Sequence, residues 1–172
     1  MTEGTRLLIG LFPTADVQAE IQAHRQDWWW PRDCSFPPEE RLHLTLQSLE
    51  DQQGKAELRL RAALAEVPTR PLNIKLDSSC TWPNDVSVVQ PSAHEGLRRL
   101  QYDISLALRR SGFSLLLSGR WTPHITIARN SEHAAAPMPL EPIHWFAHEF
   151  RLVRSHFTRS FRHELLDSYP LH

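Results

Sequence analysis

The segments Leu42-His43-Leu44-Thr45-Leu46 and Pro123-His124-Ile125-Thr126-Ile127-Ala128 alternate polar and apolar residues with a period of two. Successive side chains of a β-strand point to opposite faces. His43 and Thr45 therefore share one face and Leu42, Leu44 and Leu46 the other, while His124 and Thr126 stand opposite Ile125 and Ile127. Strands are expected over 42–49 and 121–128, and their polar faces would supply two imidazoles and two hydroxyls to one cleft.

The remaining pattern alternates strands and helices. Arg6–Phe12 is a short apolar run stopped by Pro13, the mark of a buried strand. Thr14 is placed to cap a helix over 15–27, with Val17, Ile21 and Trp28 on its inner face. Trp28-Trp29-Trp30-Pro31 ends that helix, and packing of the tryptophans on the core is favoured over a base-stacking platform. Residues 51–67 read as an amphipathic helix terminated by Pro68 and Pro71. Strands follow at 72–76 and 86–89. A helix then runs to about Arg110, with Ser92 and Glu95 as a capping box, a stripe of Leu97, Leu100, Ile104 and Leu108, and Gly112 as its stop. Leu115–Leu117 is a short apolar run, and residues 130–142, with three prolines, form a surface loop. The tail, 143–157 and 161–169, alternates enough for two or three strands and a closing hairpin.

A duplication runs through this order. Pro13-Thr14-Ala15 and Pro91-Ser92-Ala93 each open a helix that leads to a histidine strand, the openings 78 residues apart and the histidines 81 apart. Residues 1–172 are therefore expected to form a single domain of two pseudo-symmetric lobes, with the motifs at 43–46 and 124–127 facing each other. The fold class implied is α+β, bilobal, with antiparallel sheets and outer helices around a central cleft.

Composition narrows the function. A net charge of −1 and pI near 6.8 disfavour a protein that tracks a long phosphate backbone. The charge is uneven, −4 over residues 1–86 and +3 over 87–172, and 17 of the 19 cations are arginine, which suits a small anion or an RNA end. No membrane-length apolar run or export pattern is present, so Cys34 and Cys80 are expected as free thiols in the cytoplasm.

Histidine titrates near neutrality, so His43 and His124 can serve as a general acid and a general base together. Thr45, Thr126 and Arg129 can hold phosphate oxygens beside them, and Trp121 is a possible nucleobase contact. That set suits phosphodiester chemistry without a metal or cofactor. His144 and His148 are the competing metal candidates, but their surroundings look β-like and lack a helical HExxH motif. Neither a phosphate-cradling glycine loop nor a nucleophile elbow is present.

At the paired motifs the chain resembles the two-histidine (2H) phosphoesterase superfamily, in particular the RNA 2′,3′-cyclic phosphodiesterases also called 2′-5′ RNA ligases. The likeness covers the Arg6-Leu7 opening, Pro37-Pro38-Glu39, both motifs through Arg129, and Phe150-Arg151-Leu152-Val153-Arg154-Ser155. It implies hydrolysis of RNA or nucleotide 2′,3′-cyclic phosphates to 2′-phosphates. In that likeness His124 activates water, His43 protonates the departing 3′ oxygen, and Thr45, Thr126 and Arg129 hold the phosphate. The likeness also implies reversible 2′-5′ RNA ligation at the same site. Leu8-Ile9-Gly10, without the family's usual aromatic pair, and the triple tryptophan leave substrate size and base preference open. Two alternatives stand beside this reading. One is a phosphodiesterase for 2′-5′ oligonucleotides or small cyclic nucleotides; the other is an RNA-end-binding module without turnover. No protein partner can be inferred.

Overall fold

The computed structural model describes residues 4–138, 140–157 and 161–172. Pro139, expected within the proline-rich loop, lies outside them, as do the first three residues. Chain order is β1 (Thr5–Leu11), α1 (Ala15–Gln26), β2 (Leu44–Glu50), α2 (Lys55–Ala65), β3 (Leu72–Thr81), β4 (Val86–Pro91), α3 (Glu95–Arg110), β5 (Ile125–Arg129), β6 (Ile143–Ala147), β7 (Glu149–His156) and β8 (Arg162–Pro170). A short 3-10 turn, Glu39–Arg41, precedes β2.

All strand pairings are antiparallel, and the expected two sheets are joined into one of eight strands, ordered β6-β3-β4-β5-β2-β1-β7-β8. The order reads alike from both ends. Each half has a strand–helix–strand unit at its centre (β1-α1-β2, β4-α3-β5) and a pair of flanking strands outside it. The halves meet through one residue pair, Leu44 with Ile125. Both are fully buried in the core that also holds Leu7, Ile9, Ile21, Leu60, Ile74, Ile104 and Trp145.

Local departures from the expected elements have physical causes. His43 and His124 sit just outside β2 and β5, because the ladder between these strands begins at the residues that follow them. The capping box at Ser92 does not form. The Ser92 amide donates to the Lys75 carbonyl at 2.9 Å, and His94 caps α3 instead, its Nδ1 accepting from the Leu97 amide at 3.0 Å. Gly112, at φ 87°, does stop α3: its amide donates to Arg109 and that of Phe113 to Leu108, a Schellman closure. Thr14 occupies the N-cap position of α1, but its hydroxyl donates to the Asp16 carboxylate rather than accepting from the helix. α2 is shorter than expected because Asp51 is drawn to Arg154, with Nε to carboxylate at 2.8 Å.

β2 departs from strict alternation as well. A bulge against β1 lies between the Ile9–Gln47 and Gly10–Thr45 pairs, so Gln47 turns inward and is fully buried. Its amide is satisfied: Nε2 donates to Ser105 Oγ at 3.0 Å, and Oε1 accepts from the Leu117 amide at 3.1 Å. This anchors the 115–117 run across β2, and Thr45 and Ser48 are left on the cleft side. Trp28 is buried and stacks on Trp30 at 4.6 Å, as the core reading required, whereas Trp29 is 61% exposed.

Leu44 is where core packing and the junction of the two half-sheets coincide. Leu44→Ala should destabilise the fold by about 2–5 kcal/mol. The urea midpoint should fall with an unchanged slope, and a loss within error of zero would show that the junction carries no weight.

Candidate active site

His43 and His124 are held in the same way. The Nδ1 of His43 lies 2.7 Å from the Arg41 carbonyl, and that of His124 lies 2.8 Å from the Thr122 carbonyl, each two residues back along the chain. A carbonyl only accepts, so Nδ1 carries the proton and Nε2 keeps the open lone pair in both neutral rings. Ring neighbours hold the planes: Phe12 at 5.3 Å and His163 at 5.4 Å against His43, and Trp82 at 4.5 Å against His124.

Both rings are half-buried and border two adjoining cavities of about 790 and 510 Å³. Thr45 and Arg129 line both cavities, Thr126 the smaller and Trp121 the larger. The expected site residues are thus brought to one cleft. Arg129 is exposed at its end of β5, and its backbone is pinned on both sides by Ser35, at 2.9 Å each way. Trp121 uses its Nε1–H on the Thr45 carbonyl at 3.1 Å, so its indole braces β2 as well as walling the cavity.

Sequence reasoning missed His163, Trp82, Phe157 and Phe161, which also line the cleft. Phe161 and His163 are two apart on the last strand pattern and so share a face, a signal present in the alternation. His163 bonds Ser155 Oγ through Nδ1 at 3.0 Å, while its buried Nε2 has no partner among the described residues. The metal candidates do not assemble: His144 lies on β6 and His148 follows it, both exposed. Among the described residues no three His, Cys, Asp or Glu side chains stand together in a way that could hold a metal. No described helix is long and apolar enough to cross a membrane.

Burial holds both cleft imidazoles below the ordinary histidine range. The carbonyl bonds at Nδ1 oppose that shift, and the Arg129 guanidinium adds to it for both; the neighbouring His124 also adds to it for His43. His163 is pushed down to about 4 by burial, then by His43 and Arg41. It is therefore neutral near pH 7.

A family model described as the 2′-5′ RNA ligase superfamily matches residues 12–164. The chain belongs to that superfamily. Its membership in a group of phosphoesterases supports phosphoesterase activity and enzyme status. Among solved structures, E. coli LigT in apo form is 26% identical, with 99% of each chain covered and a TM-score of 0.84. E. coli LigT complexed with 3′-AMP is 24% identical over 98% of this chain and 99% of that one, with a TM-score of 0.86. TT0787 of Thermus thermophilus is 24% identical over 96% and 97%, with a TM-score of 0.77. These likenesses show that the superfamily member has a LigT-like fold. A comparison with curated proteins finds no match.

Four histidines, His24, His43, His124 and His163, have pKa values lowered by burial. Each binds its proton more weakly folded than unfolded, so its stabilising contribution is complete above about pH 6.5 and is lost as pH falls toward the folded value. For His163, pushed down to about 4, that loss spreads between about pH 6.5 and 4. Urea unfolding from pH 7 down to pH 4 should show stability falling, and His163→Phe should flatten the slope. An unchanged slope in that variant would refute the assignment.

Proposed function

We propose that the chain hydrolyses ribose 2′,3′-cyclic phosphate ends of RNA or nucleotides to 2′-phosphates, using His43 and His124 and no metal. The observation that carries this reading is the matched pair of half-buried imidazoles, each with Nδ1 bonded to the carbonyl two residues back, at one cleft with Arg129. That E. coli LigT, of similar fold, has been solved in complexes with 3′-AMP and with phosphate supports a ligand that carries a phosphate.

In this mechanism Nε2 of neutral His124 takes a proton from water as its oxygen attacks phosphorus. The bond from phosphorus to the 3′ oxygen breaks, and protonated His43 gives its Nε2 proton to that oxygen. Thr45, Thr126 and Arg129 hold the non-bridging oxygens, whose charge grows as the fifth ligand arrives. Trp121 walls the nucleobase. Turnover leaves His124 protonated and His43 neutral, and exchange with solvent resets them. With a ribose 5′-hydroxyl in place of water, the same groups in the same roles join a 2′-5′ bond as the bond to the 3′ oxygen breaks. They exchange roles only in the reverse step, in which the 3′-hydroxyl attacks, the 2′-5′ bond breaks and the cyclic phosphate re-forms.

His43→Ala and His124→Ala should each lower kcat by about 10²–10⁴-fold on a 2′,3′-cyclic nucleotide, in buffer containing EDTA. The product is identified as the 2′ or 3′ phosphomonoester, and near wild-type turnover by either variant would remove the reading.

The pH dependence has a definite sign. Both free-enzyme imidazoles lie below the ordinary value, so the bell in kcat/KM should centre on the acidic side of 6.5. A bound phosphate anion favours the imidazolium, so the limbs of kcat should move to higher pH. Coincident profiles would mean that substrate does not touch the titrating pair.

A further inference from the structure

The cleft is larger and more cationic than one cyclic phosphate requires. The larger cavity, about 790 Å³, is near the upper end of the range that buries a drug-sized ligand, and a second of about 510 Å³ opens beside it. Arg6, Arg41, Arg120 and Arg129 line the two, and the described lining includes no Asp or Glu, in a chain with more acidic than basic residues. None of these four forms an ion pair among the described residues.

Aromatic rings flank the histidines on both sides, and the sheet order relates them. Trp82 directly follows β3, whose end pairs with the start of β4; Phe157 directly follows β7, whose end pairs with the start of β1. The two rings thus hold equivalent places in the two halves. Trp82 lies against His124, whereas Phe157 is 51% exposed with its ring 5.3 Å from that of Phe161. Arginines cover this second pair: the Arg6 guanidinium is 5.8 Å from the Phe157 ring and that of Arg41 is 4.7 Å from Phe161. Alternating guanidinium and aromatic faces are the means by which proteins hold successive bases of a single strand.

We infer that Phe157, with Arg6 and Arg41, forms a second nucleotide subsite that stacks the base preceding the reacting end, so that an oligoribonucleotide end binds more tightly than a mononucleotide. The inference rests on the proposed reading of the cleft as a ribose phosphate site, with Trp82 and Trp121 beside the terminal base. Phe157 stacks the penultimate base, and Arg6 and Arg41 meet the phosphodiester between them.

The test is calorimetric titration of the full chain with a ribonucleoside 3′-monophosphate and with the dinucleotide ending in the same 3′-phosphate. The dinucleotide should bind about tenfold or more tightly, as one added stacked base allows. Phe157→Ala should bring the ratio toward one, and Phe157→Tyr should keep it. Arg6→Gln should weaken the salt dependence of dinucleotide binding. Equal affinities for the two ligands, or a Phe157→Ala loss shared equally by both, would overturn the subsite. Turnover of a cyclic mononucleotide is read separately. A retained affinity ratio without any hydrolysis would keep the subsite and reject the hydrolytic reading.

Discussion

One backbone pairing, Leu44 with Ile125, joins two half-sheets that are each extensively paired within themselves. Its shortness makes the cleft. A longer ladder between β2 and β5 would draw the preceding residues into the sheet and close the gap with backbone. Because the pairing is confined to these two residues, His43 and His124 are left immediately outside it. Each imidazole then bonds its own backbone two residues back. The same apolar pair that seals the core is therefore the chain neighbour of both histidines, and packing and chemistry meet at one point.

The electrostatics follow from that geometry. Rings at the edge of a buried sheet lose hydration, and the nearby Arg129 guanidinium further disfavours their charged forms. A cleft with four arginines and no carboxylate among its described lining is biased toward an anion. A phosphate relieves both effects at once, since it meets the guanidinium and restores the imidazolium. Affinity for an anion and protonation of the imidazoles are thus one coupled property of the cleft. A carboxylate placed among the arginines would weaken both.

Much of this was legible in the residues because period-two alternation carries face information directly. His43, Thr45, His124 and Thr126 fall on the cleft side for the reason their spacing implied, and α3 keeps its expected stripe and its Gly112 stop. What escaped depends on contacts distant in sequence. The bulge that turns Gln47 inward is set by its pairing with β1, and the shift of the α3 cap from Ser92 to His94 by the pairing of Ser92 with β3. His163 reaches His43 only because β8 closes the sheet beyond β7. No local pattern specifies that neighbour.

The two halves of the sheet follow the same strand order and hold the two histidines alike, while the side chains around them differ. Both halves supply the carbonyl that fixes Nδ1, so the tautomers agree. The ring neighbours differ: His43 packs on Phe12 and a histidine that stays neutral at ordinary pH, while His124 packs on the indole of Trp82. The imidazole beside His43 is kept from charging by burial, then by His43 and Arg41. The backbone thus holds two imidazoles alike, and the side chains around them give each a different surrounding.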